Sequence, residues 1–71
     1  MINYGPLWNT MKAKGFSQYR LIHSCHFSSG QLHRIRKNGY VSTHTLEELC
    51  RILDCSIADI IEISFDRKDE K

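Results

Sequence analysis

Turn and capping residues interrupt this chain so often that it contains only short segments able to form regular structure. Gly15 and the pair Asn38-Gly39 tolerate the positive φ found where helices end. Serines that favour helix starts precede four segments with apolar periodicity: Ser17, Ser28, Ser42 and Ser56. A chain of 71 residues divided in this way predicts one compact, all-α domain of five helices around a small core.

The apolar spacing predicts which side of each helix is buried. Pro6 suits the first turn of a first helix. The predicted inner face of that helix carries Tyr4, Leu7, Trp8 and Met11, and that of the second helix carries Leu21, Ile22 and Cys25. The inner face of the third helix carries Leu32 and Ile35, and that of the fourth carries Leu46, Leu49, Cys50 and Leu53. Val41 and Leu46 are spaced as a hydrophobic staple, as are Cys55 and Ile60. Ser56 and Asp59 have capping-box spacing, which predicts the fifth helix.

The segment "IIEISF" departs from the helical pattern. Ile61, Ile63 and Phe65 alternate with Glu62 and Ser64, as in a strand. We expect this segment to be extended and to pair either with the N-terminal "INY" or with a partner chain. The domain is predicted to span residues 1–65, followed by a disordered charged tail over residues 66–71.

The charges are distributed unevenly between the two parts of the chain. Residues 1–46 contain no Asp or Glu but six cations, whereas all eight acids follow from Glu47 onward. A long segment without acids favours a surface that approaches phosphates. The chain opens without the features of a secretory signal and has no apolar run of membrane length, so we expect a cytoplasmic protein with reduced thiols and no membrane partner.

The histidines and cysteines of this sequence do not have the spacing of a metal site or of a catalytic site. His23, Cys25, His26 and His33 lie close in sequence, but they lack the paired spacing of zinc ligands, and Cys25 is expected to face inward. Cys50 and Cys55 are interpreted as small core residues poorly placed to bond each other. No phosphate-binding glycine loop, framed serine nucleophile or carboxylate pair occurs in the basic part. We therefore expect no metal, no cofactor and no enzymatic activity.

The spacing within residues 18–37 predicts a helix-turn-helix. Inward positions fall at Leu21 and Cys25 in a first helix, Phe27 in the turn, and Leu32 and Ile35 in a second helix. Two short helices that cross steeply through a tight turn need apolar groups at these places. The second helix of such a motif can lie in a DNA major groove.

The chain resembles the lambda-repressor and Cro-like helix-turn-helix proteins, in particular small single-domain members. The matching parts are "PLWNTMKAKGFSQYRLI", "SSGQLHRIRKN", "VSTHTLEELCRILDC" and "SIADIIE". His26 stands where the family commonly has a glycine in a left-handed turn, and histidine is among the residues that tolerate that conformation. Ile22 replaces a small residue where the helices approach. Arg36 replaces a glutamate that many relatives pair with the first helix, so we expect Arg36 to be free to contact phosphate.

The resemblance implies a function for individual positions. Ser29, Gly30 and Arg34 correspond to positions that face base edges, flanked by Gln31 and His33. Positions that contact the phosphate backbone are expected at Gln18, Tyr19, Arg36, Lys37, Asn38, Tyr40, Ser42 and Thr43. The expected function is sequence-specific binding of double-stranded DNA by a small transcriptional regulator, most simply a repressor acting as a homodimer on a pseudo-palindromic operator. Two alternatives stay open: an antitoxin-type regulator that also binds a protein, and an interaction adaptor that does not bind DNA.

Overall fold

The computed structural model describes residues 1–65, and the predicted disordered tail over 66–71 lies outside them. The fold is mostly helical. Its four α-helices are α1 (Gly5–Ala13), α2 (Gln18–His23), α3 (Ser29–Arg36) and α4 (Thr43–Leu53). Serines cap three of them as predicted: the side-chain oxygens of Ser17, Ser28 and Ser42 accept hydrogen bonds from backbone N–H groups three residues on.

The predicted fifth α-helix is wrong. Ile57–Asp59 forms a single 3-10 turn instead. The Asp59 carboxylate does accept hydrogen bonds from the Ser56 N–H and hydroxyl, each at 3.3 Å. Ile60 is then fully buried, and the chain becomes extended at Glu62. The capping signal is therefore real, but the strand that follows leaves no length for an α-helix.

A short antiparallel sheet joins the two ends of the described chain. Strand β1 (Ile2–Asn3) pairs with β2 (Glu62–Ile63), with Ile2 opposite Ile63 and Asn3 opposite Glu62. The Ser64 N–H donates to the Met1 carbonyl at 2.9 Å, which extends the pairing. The prediction that "IIEISF" contains an extended part is confirmed, and of its two expected partners the N-terminal "INY" is the one observed.

The core lies between the four helices and the 3-10 turn. Its buried apolar members are Tyr4, Leu7, Met11, Leu21, Phe27, Leu32, Ile35, Leu49, Leu53 and Ile60, all of which the apolar spacing predicts. Trp8, Ile22, Leu46 and Cys50 are half-buried and pack against this core rather than within it. Cys25 is also only half-buried, so its predicted inward placement is partial.

Two further details of the core concern Thr45 and the cysteines. Thr45 is buried, where its N–H donates to the Ser42 side-chain oxygen at 3.2 Å. The Cys50 and Cys55 thiols are both free, and the Cys55 N–H donates to the Cys50 carbonyl at 3.1 Å. Burial, first, and then the neighbouring Cys50 thiol and Asp59 raise the pKa of the Cys55 thiol. Both cysteines pack against the core and do not bond each other, as expected.

Within residues 1–65, no helix combines the length and apolarity needed to cross a bilayer.

Candidate nucleic-acid interface

Helices α2 and α3 form the predicted helix-turn-helix. The connection between them runs through His26, whose φ of 59° is left-handed. Phe27 then turns inward, with only 3% of its surface exposed, and its N–H donates to the Leu21 carbonyl at 3.0 Å. The prediction that histidine replaces glycine at a left-handed turn position is confirmed. This turn sets the direction in which α3 leaves α2.

Helix α3 has a defined end as well as a defined start. At its C-terminal end, Asn38 adopts a φ of 57°. The Asn38 N–H donates to the Ile35 carbonyl at 3.0 Å, and the Gly39 N–H donates to the Arg34 carbonyl at 2.8 Å. These two bonds form a Schellman motif, which satisfies helix-end carbonyls and fixes the direction of the following loop. Of the two residues expected to tolerate positive φ, Asn38 is the one that uses it.

The two sides of α3 differ sharply. Leu32 and Ile35 are fully buried in the core. The outward side carries five exposed residues, which we call the α3 face: Ser29, Gly30, His33, Arg34 and Lys37. Four of the five residues expected to read bases therefore lie on one accessible surface, with one arginine at its centre and a lysine at its end.

Gln31 is the fifth residue expected to read bases, and its side chain is placed differently. The residue is half-buried, and its side-chain oxygen is buried with no hydrogen-bond partner within the described part of the chain. In this conformation the Gln31 oxygen faces the protein rather than the surroundings of α3. The sequence position alone did not distinguish it from its exposed neighbours.

Arg36 has no acidic partner among residues 1–65, but it does contact another side chain. Its Nε donates a hydrogen bond to Oε1 of Gln18 at 2.6 Å. Gln18 is the first residue of α2 and Arg36 is the last of α3, so the contact joins the two helices at the edge of the motif. Both residues were expected to contact phosphate, and they lie side by side.

The other expected phosphate contacts surround this motif. Tyr40 is 78% exposed in the loop after α3, and Tyr19 is 72% exposed on α2, where its ring stacks on His23 at a centroid distance of 4.1 Å. Ser42 uses its hydroxyl to cap α4, and Thr43 is exposed in the first turn of that helix. The Asn38 carbonyl oxygen Oδ1 accepts from the Tyr4 N–H at 3.3 Å, which leaves its amide donors available.

Carboxylates are distant in sequence from this surface. Among residues 1–65, an ion pair joins Arg51 to Glu48 at 3.9 Å, within α4. Arg20 packs over the Phe16 ring at 4.2 Å and donates to the Gly15 carbonyl, so it is held against its own loop. The cations of α3 have no acidic partner among residues 1–65 at salt-bridge distance, and their charge is directed to solvent.

The histidines and cysteines do not assemble into a metal site in the part of the chain that the structure covers. No group of three or more potential ligands occurs there. His23, His26 and His33 are exposed while Cys25 is half-buried, which separates the four residues considered in the sequence.

Tyr4 contributes to the interface in a way that the sequence did not reveal. It was expected only as core packing, and it is indeed fully buried. Its hydroxyl, however, donates to the Gly39 carbonyl at 2.8 Å, in the loop that follows α3. A tyrosine on the buried side of a helix signals such a bond, since a buried phenol needs a partner.

Comparisons with known proteins agree with this geometry. The model of the Cro/C1-type HTH DNA-binding domain matches residues 6–66. The crystal structure of the transcriptional regulator VanUg (form II) superposes with a TM-score of 0.82 and 26% sequence identity, over 92% of this chain and 87% of that chain. No curated protein matches the chain significantly.

Proposed function

The chain belongs to the Cro/C1-type HTH DNA-binding family, and we propose that it is a transcriptional regulator that reads specific double-stranded DNA with α3. The observation that carries this proposal is the α3 face. Its five residues are exposed on the side of α3 opposite Leu32 and Ile35, which are fully buried. An exposed, basic helix on a rigid support is the element that such folds insert into the major groove.

Arg34 is the proposed main base-reading residue. It lies in the middle of the α3 face, and its backbone carbonyl is fixed by the Gly39 N–H. An arginine in this place can donate two hydrogen bonds to O6 and N7 of a guanine, which discriminates against other bases by about 1–3 kcal/mol. Ser29 and His33 flank it, and Gly30 permits a close approach of the helix to the bases.

Phosphate contacts supply the second part of the proposed affinity. Lys37 and Tyr40 lie at the end of α3 and in the loop beyond it, and both are exposed. The N-terminal amides of α4 near Thr43 add donors for an anion. Each neutralised phosphate releases counterions, so binding is expected to weaken steeply as salt is added.

We further propose repression by a homodimer that occupies two half-sites about 34 Å apart. The support is the exposure of apolar side chains in the 3-10 turn, in β2 and just after β2. Ile57 and Ile63 are 49% and 58% exposed, and Phe65 is 68% exposed. Along residues 1–65 each strand pairs only with the other, which leaves an outer edge that a second copy can cover. Analytical ultracentrifugation of Ile63→Asp tests this: the dimer is expected to dissociate, and an unchanged dimer would place the interface elsewhere.

The DNA-binding proposal is tested by selecting bound duplexes from a random pool. Enrichment of one motif is expected, and Arg34→Ala is expected to bind that motif at least tenfold more weakly while retaining its weak affinity for unrelated duplex. Arg51→Ala is the matched control, because Arg51 is an exposed arginine on α4 and pairs only loosely with Glu48. If the wild-type protein enriches no motif, the proposal of sequence-specific reading fails.

The same variants separate the alternatives. An antitoxin-type regulator is expected to lose DNA preference in Arg34→Ala while still binding its protein partner. An adaptor without DNA binding is expected to be indifferent to Arg34→Ala altogether. The proposed activity is binding alone, with no catalytic step and no cofactor.

A further inference from the structure

The hydrogen bond between Gln18 and Arg36 has a defined chemical direction. A guanidinium carries only donors, so the glutamine atom that faces Arg36 Nε must be the carbonyl oxygen Oε1. The amide NH₂ of Gln18 therefore points away from Arg36 Nε.

The groups left over at the contact are mainly hydrogen-bond donors. Arg36 uses Nε, which leaves the four N–H groups of its two terminal nitrogens. Gln18 uses Oε1, which leaves the two N–H groups of its amide. Arg36 has no carboxylate partner among the described residues, and no acid occurs in the sequence before Glu47. The nearby chemistry therefore favours an anion with several acceptor oxygens.

We propose that Gln18 and Arg36 form one composite site for a single phosphate of the duplex backbone. Gln18 is a positioning residue for Arg36 as well as a donor of its own. It restricts the rotation of a long side chain, so that less rotamer entropy is lost when Arg36 binds an anion. The terminal nitrogens of Arg36 are then presented as a planar fork, the geometry that binds phosphate through two parallel hydrogen bonds. This inference rests on the proposed DNA-binding function and specifies how one of its phosphate contacts is built.

A composite site predicts that the two residues are coupled. If Gln18 acts partly through Arg36, removing Gln18 matters much less once Arg36 is gone. It also predicts a change in salt dependence. Arg36→Ala removes one phosphate cation, which is expected to lower the slope of log affinity against log salt by about 1. Gln18→Met removes no charge, yet it is expected to lower the same slope because Arg36 is no longer held at the phosphate.

The test is a double-mutant cycle measured by fluorescence anisotropy with a labelled duplex across a salt series. Gln18→Met keeps the length of the side chain and removes its acceptor. We expect Gln18→Met to weaken binding at least fivefold in the wild-type background and less than twofold in the Arg36→Ala background. Gln18→Met combined with Arg51→Ala is the control, and there the full fivefold loss is expected. Melting temperatures of all variants check that the fold is retained.

Two outcomes overturn the inference. Equal losses from Gln18→Met with and without Arg36 would show two independent contacts. Tighter binding by Gln18→Met would show that Gln18 withholds Arg36 from DNA. Phosphates are present in every duplex, so the cycle can be run on DNA of arbitrary sequence. Its failure is therefore distinguishable from failure of sequence-specific reading, which is judged on the random pool.

Discussion

The hydroxyl of Tyr4 donates a hydrogen bond to the Gly39 carbonyl at 2.8 Å, which ties the start of α1 to the loop that leaves α3. The Tyr4 N–H also donates to Oδ1 of Asn38. Tyr4 thus holds Asn38 and Gly39, which lie 34 and 35 positions further along the chain. These two residues stand between Lys37 and Tyr40, and Lys37 and Tyr40 are proposed to contact DNA. The N-terminal segment is therefore part of the support of the DNA-binding surface.

Substitution of Tyr4 by phenylalanine is expected to lower the free energy of unfolding by about 1 kcal/mol, because the Gly39 carbonyl loses its donor while the ring remains buried. Urea unfolding measures the loss. Tyr19→Phe is the matched control, because the Tyr19 side chain is 72% exposed. An unchanged unfolding midpoint in Tyr4→Phe would show that the bond contributes nothing to stability.

Tyr4 also predicts how stability depends on high pH. Burial raises the pKa of the Tyr4 phenol in the folded protein, so the fold favours its neutral form. The stabilisation is complete below the unfolded pKa of about 10 and is lost as pH rises toward and through the folded value. The stability advantage of the wild type over Tyr4→Phe should therefore shrink above that pH. Urea unfolding of both proteins from pH 8 to 11 measures this, and a constant difference would contradict it.

The left-handed turn at His26 predicts opposite effects of glycine at two positions. At residue 26, where φ is 59°, His26→Gly should be more stable than His26→Ala by about 1 kcal/mol. Ala13 is the last residue of α1, where replacement by glycine should instead lower stability, by less than the about 0.5–1 kcal/mol that glycine costs in a helix interior. Chemical denaturation of the three variants provides the comparison. Equal stability of the two residue-26 variants would mean that this turn carries no conformational cost.

Removal of metal is expected to leave the protein unchanged. The residues considered for zinc are divided between exposed histidines and a half-buried cysteine, so they offer no shared coordination site. Thermal unfolding with and without EDTA should give the same midpoint, as should unfolding with added zinc. A midpoint that falls with chelator and recovers with zinc would show a metal contribution to folding.

The features that could be predicted from the sequence are those encoded locally. His26 and Asn38 are residue types that tolerate positive φ, and Ser17, Ser28 and Ser42 each cap the segment that follows them. The alternation in "IIEISF" is likewise local, and it correctly indicated an extended segment. The inward positions of the helix-turn-helix followed from periodicity, because a helix that must bury Leu32 and Ile35 has to expose Arg34.

The features that could not be predicted depend on contacts between distant residues. Ser56 and Asp59 form the same local bonds in a 3-10 turn as in an α-helix. The pairing of β2 with β1 decides how many residues after Ser56 can be helical. The bond between Gln18 and Arg36 joins residues 18 positions apart. Gln31 is a polar residue next to the positions expected to read bases, so the sequence does not set it apart from them. Only the packing of α3 shows that its side-chain oxygen is buried.

Affinity for a duplex containing 7-deazaguanine tests the central claim most directly. This base replaces the major-groove acceptor N7 with a C–H group, while base pairing, the minor groove and the phosphates are retained. At the guanine read by Arg34, the replacement is expected to weaken wild-type binding by about 1–3 kcal/mol and to leave Arg34→Ala binding unchanged. If replacing each guanine of the selected motif in turn has no effect on wild-type affinity, α3 does not read guanine in the major groove.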